Sequence, residues 1–140
     1  MNIHRWLNFH AAFLVLIGIM FLLYSPLVMA WLGLTQVVQD TPGYWAMVSF
    51  ARLFGMALLA WGASLLSIGS LLARAEAGEN ALIPILWVVT GADFLGAFSA
   101  AIQAASVWGI PASWLISLGF GVLGIIGLVL LILRRRISAR

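Results

Sequence analysis

Four long apolar runs, separated by short breaks, dominate this chain and leave it few ways to fold. They cover about residues 7–33, 42–73, 82–108 and 111–133 of the 140. Each reaches the roughly 20 residues that a helix needs to cross about 30 Å of hydrocarbon. In lipid every backbone N–H and C=O must be satisfied within the protein, so only helices and closed barrels span. Barrel strands are short and alternate, whereas these runs are continuous. The expectation is an all-α integral membrane four-helix bundle with up-down topology, a single transmembrane domain over 1–140. Composition agrees: 64% of residues are hydrophobic and 8% charged, far below the quarter that keeps a soluble domain dissolved.

The breaks carry helix punctuation. In "QDTPGY", Thr41 is placed to cap a helix whose first residue is Pro42. In "ARAEAGENALIP", Asn80 is a candidate cap, with Glu79 near the positive helix end. In "WGIPAS", Gly109 stops one helix and Pro111 restarts the next, which predicts an antiparallel hairpin. Pro26 breaks the first run, and the preferred reading ends the span near Tyr24 and starts a short interfacial helix. A basic start, an apolar core and "VMA" also fit a signal peptide loosely. Retention of the first helix is the expectation, with cleavage after Ala30 the lesser alternative.

The charges set the orientation. All seven basic residues are arginine, and the net charge of +3 comes from Arg134, Arg135, Arg136 and Arg140. With Arg5 before the first run and Arg74 in the second break, the positive-inside rule puts both termini and that break in the cytoplasm. Asp40 lies in the first, outer break. The chain is therefore read as a multi-pass inner-membrane protein. The basic tail marks a membrane boundary, and no nucleic-acid motif accompanies it. Trp6, Tyr24, Trp31, Tyr44, Trp45, Trp108 and Trp114 suit interfacial belts, while Trp61 and Trp87 lie deeper and are expected to pack.

Helices in lipid associate where small residues let backbones approach. Gly55, Gly62 and Gly69 repeat every seven residues and predict one seam, with Arg52 a turn above it and facing inward. Ala92, Gly96, Ala100 and Ala104 recur every four, and Gly121, Gly124 and Gly127 every three. These rows are read as ordinary membrane packing.

Two ionisable residues fall inside spans, where a charge costs about 2.5 kcal/mol or more. Asp93 is expected near the midplane and Arg52 roughly 10 Å above it. Across an antiparallel pair of helices they would form a polar centre, joined directly or through a water, with Gln103, Thr90, Ser64 and Ser67 as extensions. The alternative reading is a structural pair, or a protonated Asp93. His4 and His10 are read as interfacial, because a haem-type site needs an imidazole aimed into a pocket. Glu76 and Glu79 read as solvated. With no cysteine, thiol chemistry is excluded. No catalytic set, metal cluster or phosphate loop can be assembled, so no cofactor is assigned and a non-enzymatic role is preferred.

"ARLFGMALLAWG", with Arg52 and Gly55 as R-x-x-G and Gly62 following, resembles the small bacterial four-helix membrane proteins around the DoxX-like group. The resemblance covers roughly residues 10–75. It implies a redox-linked accessory subunit or a binder of lipophilic molecules. The leading expectation is thus an accessory or assembly subunit, or a binder of a lipid or quinone-like molecule near Arg52 and Asp93. The alternative is a small homodimeric proton-coupled transporter using Asp93. Expected partners are the bilayer, a lipophilic molecule or a larger membrane complex, and a homo-oligomer stays open.

Overall fold

A computed structural model describes residues 3–33, 41–74, 79–108 and 114–138, with side chains left aside for 73–80, 107–108 and 135–138. The described residues form helices and no strand: α1 (Ile3–Leu23), α2 (Ser25–Trp31), α3 (Pro42–Arg74), α4 (Ile83–Gln103) and α5 (Trp114–Ser138). A 3₁₀ turn, Glu79–Leu82, precedes α4, and Ala104–Trp108 widens into a π turn after it. Four helices are long and apolar enough to cross a membrane, from Ile3–Leu23, Pro42–Leu72, Ile83–Ser106 and Trp114–Arg134. The chain is a small multi-pass helical membrane protein.

The proline signals act locally as their chemistry dictates. The Tyr44 amide donates to Thr41 Oγ1 at 3.3 Å, so Thr41 caps α3 with Pro42 as its first residue. At Pro26 the chain leaves the helix for one residue, Tyr24, and α2 begins with proline in its first turn. Gly33 closes α2 with φ 74°, the left-handed conformation that glycine adopts without strain. Leu82, not Asn80, is the residue before α4, and no side chain caps that end. The 3₁₀ turn carries the chain past Asn80, and Pro84 sits in the first turn of α4. The outer break with Asp40, the Glu76 segment and the Gly109–Pro111 link lie outside the described residues.

Two antiparallel hairpins build the bundle. In the first, α1 lies along α3. A methyl group added at Gly55 would come within 2.7 Å of the Gly18 carbonyl oxygen and the Leu22 nitrogen, and one at Gly62 within 2.8 Å of the Ala11 oxygen. Gly55, Gly62 and Gly69 are all buried. A heptad spacing drifts only about 20° per step around a helix, so the three stay on one face. In the second hairpin Gly96 meets the Phe120 ring, Gly124 the Phe94 ring and Gly121 the Ala97 methyl. Ser117 Oγ donates across to the Ala97 carbonyl at 2.8 Å. Ala100 and Ala104 are buried, but Ala92 is exposed. A four-residue spacing drifts about 40° per step, so Ala92 has rotated off the packed face.

The hairpins meet at the end carrying Arg5 and Arg134. There Ile3, Trp6, Leu7, Ala11 and Leu14 of α1 form one core with Leu65 of α3, Leu86 and Val89 of α4, and Leu130 and Leu131 of α5. Trp6 is fully buried, not interfacial, because its face of α1 packs against the second hairpin. Trp61 and Trp87 are exposed, 42% and 46%. Their neighbours Gly62 and Leu86 take the packing faces, which turns each indole about 100° outward.

Register places Arg52. Gly62 faces Ala11 to Val15 and Gly55 faces Gly18 to Leu22, so facing positions sum to about 75. Arg52 is then level with Leu23, the last residue of α1, and Leu72 with Ile3. Helix α3 therefore overhangs α1 by ten residues, Pro42 to Ala51, or about 15 Å. The short α2 packs against α3 and α1.

Candidate functional site

The sequence pointed to Arg52 with Asp93. The structure separates them. Arg52 is exposed at the outer limit of the bundle, with Tyr24, Trp31 and Trp45 also exposed, because the overhang of α3 lifts it to the level where α1 ends. Asp93 is 2% exposed and faces His10, with Nε2 3.6 Å from Oδ1. His10 lies 13 residues below the level of Arg52, about 20 Å along the axis. A side chain and one water cannot cover that distance.

Four buried polar side chains from two helices meet around this pair. On α1, Trp6 and His10 are one turn apart, and their rings stack with centroids 5.0 Å apart and planes 35° apart. On α4, Thr90 precedes Asp93 by three residues, so both are on the face turned toward α1. The relative exposures of the four are 0%, 1%, 3% and 2% in chain order. Helix α5 closes the patch with Gly127. A methyl group there would run into Thr90 Oγ1 and come within 3.4 Å of the Trp6 ring. Only glycine lets α5 lie so close to both.

The patch is polar but not saturated. Trp6 Nε1, His10 Nδ1, Thr90 Oγ1 and Asp93 Oδ2 are buried without a hydrogen-bond partner. Like Ser25 of α2, Thr90 keeps its hydroxyl free of the backbone. Ser49, Ser64, Ser67 and Ser106 each donate to the carbonyl one turn earlier, at 2.6–2.9 Å. That local bonding accounts for Ser64 and Ser67, which take no part in the centre. Gln103 is exposed, far along α4 from Asp93.

Of the sequence candidates, then, Thr90 and Asp93 are brought together, and Arg52 and Gln103 are not. By sequence position alone, at the end of the first span, His10 and Trp6 look interfacial. The signal that could have found them is their spacing. Ile3, Trp6, His10 and Leu14 recur at three and four residues, one continuous face of α1, and a histidine inside such a row belongs to the packed side. Among the described residues no group of three metal-ligating side chains occurs.

No known protein family, curated protein or solved structure matches this chain.

Proposed function

We propose that this small membrane protein resides in the inner membrane and works as an accessory subunit or binder of a lipophilic molecule. Its polar centre is His10, Thr90 and Asp93 with Trp6, in place of Arg52 and Asp93. One observation carries the reading: four buried polar side chains lacking partners, Trp6, His10, Thr90 and Asp93, are gathered in one patch inside a largely apolar bundle. Buried polar groups are normally paired, and leaving one unpaired costs about 1–3 kcal/mol. Ionisable residues held within a membrane mark ligand or ion pathways by default. The likeness of "ARLFGMALLAWG" to the DoxX-like group points the same way.

The test is extraction in mild detergent, followed by mass spectrometry of the organic extract and of co-purifying proteins. A lipophilic molecule or a membrane partner is expected with the wild type and is reduced with Asp93→Leu. A monomer that carries neither refutes the reading.

Proton-coupled transport by a homodimer is the second reading. It is favoured by the His10–Asp93 contact, since acid–histidine pairs within spans form proton relays. Proton-driven flux in proteoliposomes that survives Asp93→Asn eliminates it.

A further inference from the structure

We propose that Arg52, with Trp45 on the same face of α3, holds the phosphate of a phospholipid at the end of the bundle away from Arg5 and Arg134. This surface lies apart from the buried polar centre and does not rest on the ligand-binding reading above.

Depth is the first argument. By sequence, six of the seven arginines flank spans at the end of Arg5 and Arg134, and Arg52 is the exception. Register puts Arg52 level with Leu23, 18 residues along α1 from Arg5, or about 27 Å. The hydrocarbon core of a bilayer is about 30 Å thick. With Arg5 in one headgroup layer, Arg52 therefore falls at the edge of the other, where a bilayer supplies phosphodiester anions.

Charge is the second. The chain has four acids, Asp40, Glu76, Glu79 and Asp93. Glu76 and Glu79 belong to the break at the opposite end, Asp93 is about 20 Å below, and Asp40 lies outside the described residues. Among the described residues no carboxylate sits beside Arg52, since the buried Asp93 faces His10. A guanidinium can only donate, and its planar fork matches the oxygens of a phosphate.

The surroundings favour a lipid over a free phosphate. Trp45 stands seven residues before Arg52, about 10 Å further out and only about 20° around the helix. Met56 follows one turn below on the same side. Both are exposed, as are Leu53 and Phe54 beside them. A free phosphate would leave this apolar surface uncovered. A phospholipid covers it, with its chain running past Met56 and the Trp45 indole at headgroup level, where tryptophan is enriched.

Indole N–H resonances test this in dodecyl maltoside micelles, which contain no phosphate. The protein is labelled with ¹⁵N-tryptophan, and two signals are assigned by their loss in Trp45→Phe and Trp114→Phe. A phosphatidylcholine with a nitroxide on its headgroup is titrated in. Trp114, exposed at the start of α5 and so at the same end of the bundle, reports unspecific uptake. Trp45 is expected to broaden at an about fivefold lower lipid concentration than Trp114, the effect of one arginine near a membrane surface. Arg52→Gln brings the two curves together, and Arg52→Lys, which keeps the charge, retains most of the gap. Unlabelled dioleoylphosphatidylcholine reverses the Trp45 broadening, whereas dioleoylglycerol and inorganic phosphate do not. The proposal is overturned if Trp45 and Trp114 broaden together in the wild type, as pairing of Arg52 with Asp40 would cause, or if Arg52→Gln leaves the gap intact. Reversal by dioleoylglycerol or inorganic phosphate at the same concentration overturns it too.

Discussion

His10 Nε2 lies 3.6 Å from Asp93 Oδ1, and this contact joins the α1–α3 hairpin to the α4–α5 hairpin. Both residues are almost wholly buried, so the contact forms inside the bundle and not at its rim. Neighbouring core residues come from all four long helices. The polar pair thus sits where the hairpins are clamped together, and the chemistry and the assembly of the bundle share the same residues.

Removing one partner strands the other. His10→Phe or Asp93→Leu alone is expected to destabilise the protein by about 1–3 kcal/mol, the desolvation cost of the group left behind. The double variant should lose less than the sum, with a coupling of about 0.5–2 kcal/mol. Unfolding in mixed micelles with increasing dodecyl sulfate measures all three. Strict additivity would show that the contact is only incidental.

The glycine seam discriminates between positions that look alike in sequence. Gly62→Val pushes side-chain atoms into the α1 backbone, 2.8 Å from the Ala11 oxygen even at Cβ, and should cost about 1–3 kcal/mol as overpacking. Gly91→Ala and Gly119→Ala meet nothing within 4 Å and should stay within about 0.5 kcal/mol of wild type. The same detergent titration reads both, and equal losses at Gly62 and Gly91 would contradict the observed packing.

Depth can be read from thiol labelling, because the chain has no cysteine of its own. A thiol reacts with a maleimide as thiolate, which requires water. Arg52→Cys, exposed at the outer limit of the bundle, is expected to react with a membrane-impermeant maleimide. Asp93→Cys and His10→Cys should react at least about tenfold more slowly. Comparable rates at Arg52→Cys and Asp93→Cys would disprove the register deduced from the α1–α3 contacts.

The tryptophans give an independent reading of the same faces. In variants keeping one tryptophan with phenylalanine at the others, brominated acyl chains should quench Trp61 and Trp87 strongly. Trp6, fully buried, should be shielded until the bundle unfolds. Quenching of Trp6 as efficient as that of Trp61 would place α1 at the lipid surface.

The helices were legible in the sequence because their causes are local. Uninterrupted apolar length demands a span, and Thr41 with Pro42 starts one. Pro26 cannot bond to the turn before it, so a break falls there. The Gly55–Gly62–Gly69 row was legible for a geometric reason, since its heptad spacing holds one face. The row through Ala92 misled because a four-residue spacing winds around the helix and leaves the interface.

The site was half legible. Asp93 and Thr90 announced themselves as polar residues inside a span, whatever their neighbours. Their partner could not be chosen from composition, because Arg52 and His10 are both plausible counterparts for a carboxylate. Two tertiary facts decided it. The ten-residue overhang of α3 carries Arg52 up to the level of Leu23, and the Trp6–His10 face of α1 turns toward α4. The sequence by itself determined that this protein is four apolar helices with an acid inside. Only the packing register, set by where glycines let backbones touch, determined that the acid meets a histidine instead of the arginine.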